Sequence, residues 1–288
     1  MKKYINLLRV KHYIKNLIIF APLFFGASLF DKYLLLETFY AFIPFCIGTS
    51  IVYIVNDIND VDKDKMHPTK CKRPIASGAI SINAAKKFAF VLIIILSVLL
   101  IIPVLLEEFS LRTIVIVYAY IFINYAYSAG LKKIPIVDIA ILALGFIIRL
   151  YYGSFVSGVE VSSWLYLTIL GGAFYLGMGK RRNEFQKNVE GNTRDVLKEY
   201  NYSFLDKNMY VCLAFTEVTY ALWAIQDQHK QMMWTVPIVM LIMMKYSLHI
   251  ETEDSEGNPI DVFFSDNLLR IFVVIYVMMV FGFIYLAK

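Results

Sequence analysis

Long apolar stretches, separated by short polar connections, dominate the chain from one end to the other. Runs such as Phe88–Leu106 and Ile271–Ala287 approach the ~20 residues with which a helix crosses a ~30 Å hydrocarbon core. Stretches bounded by charged residues, proline or glycine predict about nine membrane-spanning helices, in one domain over residues 1–288. The predicted spans are residues 16–30, 34–55, 86–106, 111–128, 135–156, 162–179, 209–226, 233–249 and 269–287.

Composition supports this interpretation and excludes two classes of protein. Hydrophobic residues make up 59% of the chain, whereas soluble domains average roughly 45–50%. A soluble globular enzyme and a disordered chain are therefore both excluded. The three cysteines, Cys46, Cys71 and Cys212, lie far apart without CxxC spacing, so neither a disulfide framework nor a thiolate metal site is indicated. We expect the first apolar stretch to be retained, because it lacks a small-residue cleavage pattern.

Lysine and arginine predict the orientation. If the N-terminus is cytoplasmic, most of the 28 Lys and Arg residues fall on the cytoplasmic side, which normally carries such an excess. We therefore expect a multi-pass cell-membrane protein with a cytoplasmic N-terminus. The long charged loops 56–86 and 180–208 and the acidic loop 250–268 lie on the same side, which predicts that this side carries the chemistry. The opposite side holds Lys32, Arg112, Lys230 and Lys288.

An acidic motif, residues 56–64 with the sequence NDINDVDKD, follows the second predicted span. If the helix continues, Asp57, Asp60 and Asp64 fall within about 60° of arc, whereas Asp62 points about 140° away and is a bystander. Like charges this close repel one another, and a bound cation relieves the repulsion. Carboxylate and amide oxygens favour Mg²⁺, and Mg²⁺ in turn favours a diphosphate ligand. The alternative is a solvated acidic helix end.

Basic residues follow in the segment His67–Gly78, with the sequence HPTKCKRPIASG. Lys70, Lys72 and Arg73 suit phosphate oxygens, arginine through a bidentate fork and lysine as a point charge. The alternative is that these residues anchor the cytoplasmic side and need no ligand.

The two motifs together resemble the first Asp-rich motif of the UbiA superfamily of intramembrane prenyltransferases, and the number of spans agrees. Within that superfamily the chain is similar to the decaprenyl-phosphate phosphoribosyltransferase branch. The stretches that carry this resemblance follow one another in order along nearly the whole chain. They are residues 10–16, 20–23, 67–70, 127–128, 131–132, 135–138, 146–149, 179–184, 257–259 and 268–270.

The resemblance implies an all-α, UbiA-type bundle with a cytoplasm-facing active site. It further implies a Mg²⁺-dependent enzyme that transfers 5-phosphoribose from phosphoribosyl diphosphate to a polyprenyl phosphate and releases pyrophosphate, for synthesis of a cell-envelope arabinose or ribose donor. The expected partners are these two substrates and the bilayer, without nucleic acid. The expected metal ligands are Asn56, Asp57, Asp60 and Asp64. The expected catalytic residues are Asp57, Asp60, Asp64, Arg73 and Lys132. The expected substrate-binding residues are Lys15, Lys70, Lys72, Tyr127, Asp138, Arg149, Lys180, Arg181 and Glu184.

Several of these later residues have two interpretations on their own chemistry. Arg149 lies well inside a predicted span, where a charge is costly and therefore a functional candidate, or alternatively a structural bridge. Lys180 and Arg181 suit phosphate binding or helix anchoring equally well. Tyr127 suits a substrate contact or the aromatic belt at the membrane interface.

Two other functions share some of these sequence features. An aromatic prenyltransferase of the same superfamily would use a prenyl diphosphate, but many of these enzymes carry a second Asp-x-x-x-Asp motif. Here Asp138 is followed by Leu142 instead of a second acid, which argues against that branch. A transporter would place charge near the bilayer midplane and often shows repeats, whereas Arg149 is the one charged residue well inside a predicted span.

Overall fold

The computed structural model describes residues 2–67, 69–187, 195–226, 230–251 and 259–286, and these contain helices and turns but no strand. Pro68, residues 188–194 of loop 180–208 and residues 252–258 of the acidic loop lie outside the described residues. The α-helices are α1 (Lys2–Leu8), α2 (Ala21–Phe25), α3 (Lys32–Asn59), α4 (Val61–Lys65), α5 (Ile82–Leu105), α6 (Leu111–Ala129), α7 (Val137–Ser157), α8 (Ser163–Lys187), α9 (Tyr202–Gln226), α10 (Val236–Ile250), α11 (Pro259–Ser265) and α12 (Asn267–Phe281). Shorter 3₁₀ segments are Val10–Phe20, Lys70–Lys72, Leu131–Lys133, Asp195–Glu199 and Lys230–Thr235, and a π-helical turn spans Gly282–Leu286.

Within the described part of the chain, six helical segments are long and apolar enough to cross a membrane. Helices α8 and α9, of 25 residues each, overlap two further predicted spans, but α8 ends eight residues later and α9 begins seven residues earlier than predicted. The total of nine spans remains a prediction. The six segments are Lys32–Asn59, Ile82–Leu105, Leu111–Ala129, Val137–Ser157, Lys230–Ile250 and Asn267–Leu286.

The first predicted span, residues 16–30, does not form one α-helix. It is divided between the 3₁₀ helix Val10–Phe20 and the five-residue helix α2. Proline explains the change: the N–H of Ala21 donates to Ile18 O in the 3₁₀ pattern, and the next residue, Pro22, has no N–H with which to continue an α-helical ladder.

Backbone contacts group the chain into two compact units. Unit 1 contains the residues up to Lys132 together with Ile148–Glu160, and unit 2 contains Lys133–Ile147 together with the residues from Val161 onward. Helix α7 therefore contributes its first half to unit 2 and its second half to unit 1. The prediction of a single catalytic domain remains a prediction.

The core of unit 1 fixes the N-terminal segment against α3. Leu7 of α1 is fully buried, and the Ser50 hydroxyl of α3 donates to Leu8 O at 2.8 Å. Helix α7 approaches the 3₁₀ helix so closely that a Cβ on Gly153 would lie 1.9 Å from Ile19 O. Glycine is therefore required at this crossing, and the N-terminal residues are held beside the end of α3 that carries the acidic motif.

The core of unit 2 joins α8, α9 and α10. The Tyr175 hydroxyl of α8 donates to Met243 O of α10 at 3.0 Å, and Gly171 lets α8 approach Thr216 of α9. Asp266 begins α12 by accepting the backbone N–H of Leu269 at 2.9 Å, which satisfies one of the free donors at that helix end.

Candidate active site

The acidic motif spans a helix break. Helix α3 ends at Asn59 and α4 begins at Val61, with Asp60 between them at φ −99° and ψ 9°. The N–H of Asp60 still donates to Asn56 O at 2.9 Å, and the N–H of Asp64 donates to Asp60 O at 2.8 Å. The predicted helical spacing of the three carboxylates is therefore kept locally, although the helix is not continuous.

Burial separates the acidic residues as the helical spacing predicted. Asp57 and Asp64 are 2% and 4% exposed. The Asp62 side chain is 89% exposed and pairs with Lys65 at 3.3 Å. Asp62 is thus a solvated surface residue, and the buried carboxylates are the ones that need partners.

Two arginines supply those partners. Arg73 Nη1 donates to Asp64 Oδ2 at 2.6 Å and to Asp57 Oδ1 at 3.2 Å. Arg9 Nη2 donates to the same Asp57 oxygen. Arg73 is a predicted catalytic residue, and the structure brings it onto two of the predicted acids.

The third carboxylate has a lysine partner. Lys132 Nζ, from the 3₁₀ turn after α6, donates to Asp60 Oδ1 at 2.7 Å. The two side chains are 20% and 30% exposed, so this pair is more open to solvent than those of Asp57. We refer to the six residues together as the ion-pair cluster. Its members are Arg9, Asp57, Asp60, Asp64, Arg73 and Lys132.

Arg9 is the member that sequence reasoning missed. It stands between α1 and the 3₁₀ helix with φ at +53°, and its guanidinium lies 4.8 Å from the centre of the Tyr53 ring. Burial lowers the pKa of the Arg9 guanidinium, and the Asp57 carboxylate opposes that shift. The sequence signal was only a basic N-terminus; the partner, Asp57, is 48 positions away.

The chemistry of the cluster fits a divalent cation. Asp57 Oδ2 is buried and has no hydrogen-bond partner among the described residues, so a carboxylate oxygen is left open to a ligand. Hard oxygen donors of this kind match Mg²⁺. No group of three or more His, Cys, Asp or Glu side chains in the described ranges stands arranged around one metal position; the acids are instead engaged by basic side chains.

The other predicted residues of unit 1 lie around these elements. Lys15 is half-buried on the 3₁₀ helix Val10–Phe20, and Lys70 is half-buried in the turn Lys70–Lys72. Lys72 is exposed, and Tyr127 is half-buried in the last turn of α6. Their roles as substrate contacts remain predictions.

Arg149 is buried in unit 1 at 5% exposure. Its Nε donates to Asn16 Oδ1 at 2.7 Å and its Nη2 to the Tyr120 hydroxyl at 2.9 Å. Its guanidinium also lies over the rings of Phe45 and Tyr120, at 5.4 and 4.9 Å. These contacts tie the 3₁₀ helix, α3, α6 and α7 together, as the structural-bridge alternative expects. Its role in substrate binding remains a prediction.

Unit 2 brings together four of the predicted substrate-binding residues. Arg181 and Asp138 are fully buried, and Arg181 Nε donates to Asp138 Oδ2 at 2.5 Å. Arg181 Nη1 donates to Glu184 Oε2 at 2.6 Å, and Lys180 Nζ lies 4.0 Å from Glu184 Oε1. A buried acid and a buried arginine thus neutralise each other on α7 and α8.

Tyr200 completes this second cluster and carried no sequence signal. Its hydroxyl donates to Asp138 Oδ1 at 2.6 Å and accepts the backbone N–H of Ile136 at 2.6 Å. Burial and the adjacent Asp138 carboxylate raise the pKa of the Tyr200 hydroxyl well above its ordinary value. Tyr200 therefore stays protonated and acts as a hydrogen-bond donor to Asp138.

Comparison with known proteins agrees with the fold. The chain is similar to a UbiA homologue from Archaeoglobus fulgidus solved with bound DMAPP and Mg²⁺, with a TM-score of 0.70 and 17% identity over 98% of this chain and 99% of that one. A solved digeranylgeranylglyceryl phosphate synthase gives a TM-score of 0.62 at 19% identity, with 98% of each chain covered. These likenesses concern the fold alone.

Sequence comparison is more specific. The decaprenyl-phosphate phosphoribosyltransferase of Corynebacterium glutamicum is 31% identical over 284 residues, which cover 95% of this chain and 84% of the relative. The protein of the same name from Mycolicibacterium smegmatis is 29% identical over 93% of this chain and 87% of its own length. Residues 17–268 match the UbiA prenyltransferase family. With its apolar helices and this match, the chain is a multi-pass membrane protein that belongs to the UbiA prenyltransferase family of transferases.

Proposed function

We propose that the protein transfers 5-phosphoribose from phosphoribosyl diphosphate to a polyprenyl phosphate. In this reaction an oxygen of the lipid phosphate bonds to C1 of the ribose, the bond from C1 to the diphosphate oxygen breaks, and pyrophosphate leaves. The observation that carries the proposal is the ion-pair cluster, in a chain 31% identical to a decaprenyl-phosphate phosphoribosyltransferase.

The acids and bases of the cluster now bind one another, and they can exchange these contacts for a metal ion and a diphosphate. Its carboxylates and its basic groups already neutralise one another. A diphosphate accepts hydrogen bonds from arginine and lysine, as the carboxylates now do. When the basic groups turn to phosphate, the carboxylates become free to ligate a cation.

Asn56, Asp57, Asp60 and Asp64 are the residues that would hold Mg²⁺. When bound, Mg²⁺ would neutralise the charge that develops on the leaving diphosphate. The open Oδ2 of Asp57 supports this assignment.

The protein's own basic residues hold and orient the substrates. Arg9 and Arg73 reach the same Asp57 oxygen from two segments of the chain, so both can bind one diphosphate in its place. The lipid phosphate is already an anion, so the reaction needs no general base, and fixed positive groups stabilise the departing charge. Asp138, Lys180, Arg181 and Glu184 remain proposed substrate contacts.

The test uses purified protein in detergent with polyprenyl phosphate, Mg²⁺ and phosphoribosyl diphosphate labelled in the ribose. We expect label to enter the lipid phase, and chelation by EDTA to stop the transfer. Transfer of the prenyl group from a prenyl diphosphate onto an aromatic acid, with release of pyrophosphate and no label in the lipid phase, would overturn the proposal and move the protein to the aromatic branch.

A further inference from the structure

Arg9 occupies a backbone conformation that arginine rarely adopts. Its φ of +53° and ψ of +48° lie in the left-handed region, which few residues other than glycine occupy. The residue stands at the junction of α1 and the 3₁₀ helix, and the N–H of His12 donates to Arg9 O at 2.8 Å. Strain of this kind persists only where surrounding contacts hold it, so the contacts of the Arg9 side chain are of interest.

The Arg9 guanidinium meets α3 in two ways. One is the ion pair with Asp57. The other is with the face of the Tyr53 ring, whose centre lies 4.8 Å from the guanidinium carbon. Tyr53 precedes Asp57 by four positions, so the ring and the carboxylate lie on the same side of α3, one helical turn apart. At this distance the negative face of a tyrosine ring attracts a guanidinium.

The aromatic face of Tyr53 matters more here than its hydroxyl. The hydroxyl lies 3.5 Å from His12 Nδ1, at the limit of the distances over which hydrogen bonds form. The His12 ring packs against the Tyr53 ring, with 5.2 Å between their centres. Tyr53 is thus held by one residue of the N-terminal segment while its ring contacts another, Arg9.

Arg9 depends on this ring more than Arg73 would. Arg73 pairs with both Asp57 and Asp64, so it keeps a carboxylate partner when its contact with Asp57 is lost. In the described part of the chain, the ion pair of Arg9 is with Asp57 alone. When a diphosphate takes the place of the Asp57 oxygen, the Tyr53 ring is the contact on α3 that still orients the Arg9 guanidinium.

We propose that Tyr53 is a positioning residue, which holds the Arg9 guanidinium toward the donor diphosphate while Arg9 exchanges its carboxylate partner. The inference rests on the proposed function and deepens it, because it names a group that acts through Arg9 without touching the substrate. A guanidinium that is already fixed loses less conformational freedom on binding, so binding is tighter. Loss of the ring should therefore weaken diphosphate binding although every charge of the cluster is kept.

The test measures binding of pyrophosphate with Mg²⁺ to the full-length protein in detergent, by isothermal titration calorimetry. Pyrophosphate represents the diphosphate of the donor, and no turnover is needed. We expect Tyr53→Leu to raise the Kd about tenfold, and Tyr53→Phe, which keeps the ring, to stay within about threefold of the wild type. Tyr40→Leu is the matched control, because Tyr40 is a half-buried tyrosine of the same helix that packs on Phe109. Equal Kd values for Tyr53→Leu and Tyr40→Leu would overturn the proposal.

Fluorinated phenylalanines at position 53 separate the charge of the ring face from its shape, and they decide the question even where Tyr53→Leu fails to fold. Successive fluorines weaken the negative face and change the volume little, so a merely structural role would not respond. We expect the Kd to rise stepwise with fluorine number, and the KM for phosphoribosyl diphosphate to rise with it while the KM for polyprenyl phosphate stays constant. A Kd that does not change along the series contradicts the positioning role. Ring-dependent pyrophosphate binding without any ribose transfer contradicts only the proposed function.

Discussion

At the scale of single residues, the main feature of this chain is that negatively charged carboxylates lie close together where water hardly reaches them. Asp57 and Asp64 are almost fully buried, and Arg73 binds both of them. Removing one member of a buried ion pair costs about 3–5 kcal/mol, because it leaves the other charge uncompensated. Burying both charges costs solvation free energy that offsets their attraction, so such pairs add little net stability, and a cluster of three acids and three basic residues is a functional candidate.

Substitution of Arg9 tests whether this residue, which the sequence did not indicate, belongs to the site. We expect Arg9→Gln to lower kcat/KM about 100-fold, since one charged donor to the diphosphate is lost. Lys11→Gln is the control, because Lys11 is an exposed base in the same N-terminal segment. Both are measured by ribose transfer, with the Tm of each variant recorded to separate lost activity from lost folding. Equal activity of the two variants would remove Arg9 from the site.

The contrast between Asp57 and Arg9 shows how far the sequence reaches at this scale. The helical spacing of Asp57, Asp60 and Asp64 is local, so it predicted which acids share a face and that Asp62 does not. Arg9 and Tyr200 meet their partners 48 and 62 positions away. Only the tertiary packing of the chain brings these residues to their partners, and no periodic pattern in the sequence indicates contacts over such a separation.

At the scale of elements, the length of each apolar stretch predicted where a helix lies better than it predicted whether that helix is α or 3₁₀. The spans from α3 to α7 lie within a few residues of their predicted bounds, since a long apolar run has no other way to satisfy its backbone in lipid. The first predicted span instead combines 3₁₀ and α-helix around Pro22, and the acidic helix is interrupted at Asp60. Hydrophobic pattern alone does not distinguish these conformations.

The Asp266 carboxylate links α10 to α12 and gives a pH-dependent prediction. Burial raises the pKa of its carboxyl, but hydrogen bonds from the Leu269 N–H, Lys245 and His249 outweigh burial and hold the pKa at about 2. Because the folded pKa lies below the unfolded value of ~3.9, Asp266 stabilises the fold above about pH 4 and loses this effect as the pH falls toward about 2.

We expect Asp266→Ala to destabilise the protein by about 1–2 kcal/mol at neutral pH, through loss of the cap on α12. Thermal unfolding in detergent measures this, with the exposed Asp62→Ala as the control. The deficit of Asp266→Ala should shrink as the pH is lowered below about 4. A deficit that is constant down to the lowest accessible pH would contradict the role given to the carboxylate.

At the scale of the whole molecule, the family and the fold could be predicted from the sequence, because short motifs typical of the family follow one another in order over nearly the full length of the chain. The division into two compact units was not, since it depends on how α7 contributes to both. The orientation rests on the distribution of lysine and arginine.

Reporter fusions test that orientation. A reporter placed between α8 and α9, in loop 180–208, should give a cytoplasmic signal, as should one at the N-terminus. A third reporter, between α5 and α6, serves as the control and should give a signal from the opposite side of the membrane. An external signal from loop 180–208 would overturn the orientation and place the proposed chemistry on the other face of the membrane.

The proposal that the ion-pair cluster is the site of phosphoribosyl transfer is tested most directly by one comparison. Asp57→Asn and Asp62→Asn are purified side by side, and the rate at which labelled ribose enters polyprenyl phosphate is measured with Mg²⁺ present. We expect a loss of about 100-fold or more for Asp57→Asn, because Asp57 is buried in the cluster, and a wild-type rate for Asp62→Asn, because the Asp62 side chain is 89% exposed. Equal rates for the two variants would contradict the assignment of the transfer reaction to this cluster.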